Sequence, residues 1–88
     1  MRKEKIYNKA LDKTQKTFLD TIGNNLYALR VARKESLKAV AKAVNMSPST
    51  LSKIEKGLYP HYRVGTLIRL SKYYKVHPKD IVSKGKIG

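Results

Sequence analysis

Eighty-eight residues make one domain at most, with a modest core and no room for a deep catalytic cavity. Twenty Lys and Arg against six Asp and Glu leave a formal charge of +14 and an isoelectric point near 10.2, which draws the chain to polyanions: nucleic acid first, then an acidic membrane surface or an acidic protein. The lack of cysteine excludes a disulfide framework and a thiolate zinc site and fits a cytoplasmic protein; no apolar run reaches the roughly 18 residues of a membrane span or forms a secretory signal.

The patterning points to an all-α chain, a basic N-terminal arm followed by five short helices, without strand-like alternation or an Asn-Gly hairpin turn. Residues 1–17 read as the arm, 18–83 as the folded domain and 84–88 as a frayed tail. Within the arm, Tyr7, Leu11, Thr14 and Phe18 fall at helical steps, so an extra amphipathic helix and a solvated arm both stay open. From 18 to about 33, Leu19, Ile22, Leu26 and Leu29 share one helical face. Gly23 weakens that helix by roughly 1 kcal/mol relative to alanine.

A second helix is capped by Ser36, buries Val40, Ala41 and Val44, and ends near Asn45. A third opens at Ser47-Pro48, where proline at the first helical position loses no hydrogen bond that the helix needs; Leu51 and Ile54 face inward and Gly57 stops it. Residues 58–62 form a loop around Pro60. The fourth helix turns Val64, Leu67, Ile68, Ser71 and Tyr74 to one side, and a short fifth opens at His77-Pro78 and buries Ile81 and Val82.

The segment 37–57, LKAVAKAVNMSPSTLSKIEKG, carries the most information. Two helices crossing steeply over a turn of about three or four residues need a small residue at the crossing, a turn residue tolerant of the left-handed conformation, and apolar residues on both sides. Ala41, Asn45, and the set Val40, Val44, Met46, Leu51 and Ile54 meet those demands in register. With Leu29-Arg30 before it, Glu55-Lys56-Gly57 closing it and residues 67–74 and 76–82 after it, the stretch 22–82 resembles the lambda-repressor/Cro-type helix-turn-helix family, often called XRE-like.

That resemblance implies a five-helix domain that binds operator DNA, usually as a homodimer, in a sequence-specific, repressor-like regulator of transcription. It implies a structural ion pair between Arg30 and Glu55 under the recognition helix, which covers about 47–56 and lies in the major groove. Pro48, Ser49, Thr50, Ser52 and Lys53 occupy the base-reading positions or lie beside them, and lysine can donate to guanine O6 and N7. Ser36, Ser47, Lys56, Tyr62 and Arg63 border the phosphate backbone, the two serines at helix N-termini that favour anions. Two departures matter. Leu37 stands where the family commonly has a DNA-contacting glutamine, and the readout helix is short of Arg, Gln and Asn. Part of the specificity is then expected from DNA shape or from the arm reaching into a minor groove.

No enzyme is expected. His61 and His77 are far apart in loop or cap positions, the carboxylates are not at ligand spacing, and neither a phosphate loop nor a nucleophile elbow is present, so no metal or cofactor is implied. An antitoxin-type protein that binds DNA and a partner protein is the second reading. A membrane-surface peptide built on residues 1–17 leaves the helix-turn-helix segment without a purpose.

Overall fold

Five helices follow one another: α1 (Lys13–Ala32), α2 (Leu37–Ala43), α3 (Pro48–Glu55), α4 (Val64–Tyr74) and α5 (Pro78–Ile81). The computed structural model describes residues 13–58 and 63–85, and no strand occurs among them. Tyr7 and Leu11 lie outside the described residues, so the arm's helical spacing is met there only by Thr14 and Phe18.

α1 is already helical at Lys13, the first described residue, so residues 13–17 of the predicted arm are helical. Residues 13–17 are all exposed, and apolar periodicity reports burial, so it is silent about a solvated stretch of helix. That end gains support from Lys16, whose Nζ donates to Asp20 Oδ1 one turn on, at 2.8 Å.

The starts of α2, α3 and α5 follow from their caps. Ser36 Oγ accepts from the Ala39 N–H at 3.0 Å, and Ser47 Oγ accepts from the Thr50 N–H at 3.1 Å. At α5, His77 Nδ1 accepts from the Lys79 N–H at 3.1 Å, and both α3 and α5 open with proline. The ends share one device. Lys34, Asn45, Gly57 and Lys75 each adopt a positive φ, and the next amide reaches back to close the last turn: Glu35 to Arg30, Met46 to Ala41, Leu58 to Lys53 and Val76 to Ser71.

α1 is the spine. It packs against α3 and α5, while α2 packs on α3 and α4 on α5. Ile22, Leu26, Val40, Ala41, Val44, Leu51, Ile54, Leu70, Tyr74 and Ile81 form the shared core. Gly23 sits where α1 meets the end of α3: a Cβ built there falls 2.5 Å from Glu55 O and 2.6 Å from Ile54 O. The residue that reads as a weakness of the helix is the one that lets α3 approach it. Asn25, also buried, clamps α1 to the end of α5 by donating to Ile81 O at 2.6 Å and Ser83 O at 3.1 Å.

The inward face of α4 needs correction. Leu70, Ser71 and Tyr74 are buried and Leu67 packs against the core, whereas Val64 is 70% and Ile68 40% exposed. The helix is rotated so that its apolar set straddles the core boundary. Val82 is half-buried against the core beside the fully buried Ile81.

Candidate nucleic-acid interface

α3 is anchored on one side by Leu51, Ile54 and Glu55, all buried. At 3.6 residues per turn, the side opposite that anchor carries Ser49, Lys53 and Lys56, and all three are exposed. Pro48 is exposed at the start of the helix, while Thr50 and Ser52 are half-buried at its margins. The surface therefore offers one hydroxyl near its N-terminal end and two ammonium groups further along. Lys53 has no partner among the described residues, so both its charge and its three donors face outward.

The cap network narrows the choice among the hydroxyls. Ser47 Oγ donates to Thr50 Oγ1 at 2.8 Å while accepting the Thr50 amide, and it lies 3.3 Å from Ser49 Oγ. With its proton on Thr50, Ser47 offers an anion only its oxygen, unless that bond breaks. The protons of Ser49 and Thr50 are the ones left to donate.

α2 contributes more than the sequence reading assigned to it. Lys38 and Lys42, one turn apart and exposed, line a shallow groove with Asn45, Met46, Ser47 and Pro48. Their signal was the i, i+4 spacing on the side of α2 away from Val40 and Ala41. Ser36 is exposed at the head of this helix with its oxygen on Ala39. Arg63 is exposed and precedes α4 without capping it. Tyr62 lies outside the described residues.

Beneath this surface Arg30 and Glu55 meet at two points, Nε to Oε2 at 2.8 Å and Nη2 to Oε1 at 3.0 Å, with side chains 14% and 5% exposed. The remaining arm of the same guanidinium donates to Glu35 O at 2.9 Å, so one side chain joins α1, α3 and the α1–α2 loop. Hydrogen bonding to Glu55 raises the Arg30 pKa, against the opposing effect of burial. The loop is tied to α4 as well: Tyr73 OH donates to Glu35 Oε2 at 2.7 Å, and Arg33 lies over the rings of Tyr73 and Tyr74 at 5.1 and 5.5 Å. The hydrogen bond to Glu35 raises the Tyr73 pKa. Burial, and then the charges of Glu55 and Glu35, raise that of Tyr74, whose buried hydroxyl has no partner among the described residues.

No metal-binding group of His, Asp or Glu side chains occurs among the described residues, and no helix there is long and apolar enough to cross a membrane.

No curated protein matches the chain. Two solved structures share its fold. One is the clp gene regulator ClgR from C. glutamicum, 22% identical, with 73% of this chain and 82% of that one covered and a TM-score of 0.66. The other is the SOS-response transcriptional repressor LexA from Eubacterium rectale, 22% identical, with 90% of this chain and 80% of that one covered and a TM-score of 0.72. The helix-turn-helix family model matches residues 26–81, which take in the crossing of α2 and α3, the Arg30–Glu55 anchor and both closing helices. The chain belongs to the helix-turn-helix family, in its lambda-repressor/Cro-type branch.

Proposed function

We propose that this chain is a sequence-specific regulator of transcription, repressor-like, which reads double-stranded DNA with α3 in the major groove and acts as a homodimer in the cytoplasm. The observation that carries the reading is the outward row Ser49, Lys53 and Lys56 on a helix whose opposite side is fixed by the Arg30–Glu55 pair. A fixed helix with exposed lysine side chains supplies both demands of operator binding, register and base contact. Lys53 contacts a guanine edge, with Pro48, Ser49, Thr50 and Ser52 beside it. Ser36, Ser47, Lys56, Tyr62 and Arg63 follow the backbone, joined by Lys38 and Lys42. Arg30 and Glu55 hold the helix at its working angle. No catalytic step is involved.

Selection from a random duplex pool, followed by a salt titration of the enriched sequence and a scrambled one, tests this. The expected result is an enriched motif with half-sites about one helical turn apart. Steep salt dependence without any enriched motif sinks the sequence-specific reading, because charge alone then accounts for the binding. The second reading, an antitoxin-type protein that also binds a partner, is favoured by the half-exposed Phe18 on α1.

A further inference from the structure

Phe18, the only phenylalanine of the sequence, is 48% exposed. It lines a groove of about 510 Å³ between α1 and the residues after α5, with Val82 opposite, Thr17 and Thr21 along it, and Lys13 and Lys84 contributing charge. Thr14, Phe18 and Thr21 fall on one side of α1, roughly opposite Gly23 at 3.6 residues per turn. Gly23 is the residue that receives the end of α3. The groove therefore faces away from the helix assigned to DNA.

Charge decides what fits it. A second copy carries the same +14 excess, and of its six acidic residues Asp20 is already held by Lys16, Glu35 by Tyr73 and Glu55 by Arg30. Few carboxylates remain to meet Lys13 and Lys84. A segment rich in carboxylates with a few apolar side chains matches both features: its charge meets the lysines and its apolar side chains cover Phe18 and Val82.

We propose that this groove docks an acidic amphipathic segment of a partner protein, and that the chain holds this partner and DNA at the same time on different faces. The inference does not depend on what sequence α3 reads.

A labelled helical peptide of Glu with Leu and Phe at i, i+4 and i+7 serves as the probe, beside one of equal composition with the apolar residues scattered. By fluorescence anisotropy with the full chain at physiological ionic strength, the patterned peptide is expected to bind about tenfold more tightly. Phe18→Glu should erase that difference. The pair Lys13→Glu and Lys84→Glu, both on exposed positions, should weaken both peptides while the circular dichroism spectrum stays unchanged. Excess duplex should leave the patterned peptide bound. Equal affinity for the two peptides, no binding of either, or displacement by duplex overturns the proposal. So does self-association of the chain alone that Phe18→Glu abolishes, which assigns the groove to a second copy. Failure to enrich a DNA motif bears on the operator reading and leaves these results standing.

Discussion

Arg30 is the residue on which most of the architecture converges, since its guanidinium bonds Glu55 twice and the Glu35 carbonyl once. Arg30→Ala leaves the Glu55 carboxylate buried and unpaired, and urea unfolding should show a loss of about 3–5 kcal/mol. Adding Glu55→Leu should recover much of it, because the stranded charge is then gone. Tyr74 offers a test with the opposite sign. Its hydroxyl is buried without a partner among the described residues, so Tyr74→Phe should leave stability at neutral pH unchanged or raised. Burial and the nearby carboxylates raise its pKa above the ordinary 10.0, so the fold favours the neutral phenol. That contribution is complete below pH 10, and it is lost as the pH climbs through the raised folded value. The phenylalanine variant should therefore resist alkaline unfolding better than the parent, as followed by circular dichroism. Lys53 belongs to the interface rather than the fold. Its exposure predicts that Lys53→Ala keeps the melting temperature and relaxes base preference by about 1–3 kcal/mol at one position, measured on single-base variants of the selected duplex.

Between elements, α1 and α3 show how far a helix in context departs from a helix alone. Glycine in an isolated helix is a defect, and alanine in its place normally stabilises. Here a methyl group meets the Ile54 and Glu55 carbonyls, so Gly23→Ala should destabilise by about 1–3 kcal/mol in a thermal melt, whereas Gly65→Ala in α4 meets no atom within 4 Å and should stabilise by about 0.5–1 kcal/mol. The element starts were legible in the sequence because caps are local: Ser36, Ser47 and His77 each reach an amide two or three residues on. Left-handed ends were legible at Asn45 and Gly57. At Lys34 and Lys75 they were not, since nothing in a lysine side chain announces a positive φ. The facing of α4 was misread for a different reason. Its apolar residues cover more than half a turn, so periodicity alone does not decide between Ile68 and Leu70, and contact with α5 places Leu70 inside.

For the molecule as a whole, the charge of +14 guarantees affinity for any polyanion and says little about discrimination. The two are separable by salt. Arg63, exposed beside α4, is expected on the phosphate track, so Arg63→Ala should weaken selected and scrambled duplexes alike and lower the magnitude of the salt slope by about one. An effect confined to the selected duplex places Arg63 on a base instead.

Composition, caps and the spacing of residues 37–57 determined the all-α class, the starts of α2 to α5 to within a residue, and the inward position of Leu51 and Ile54. Each of these depends on residues within a few positions of one another. The Arg30–Glu55 geometry is of another kind, as are the close approach at Gly23, the Asn25 clamp and the basic edge of α2 beside the head of α3. They join residues tens of positions apart, or depend on how one helix lies against another. Only the packing of the whole chain decides which atoms those distances bring together.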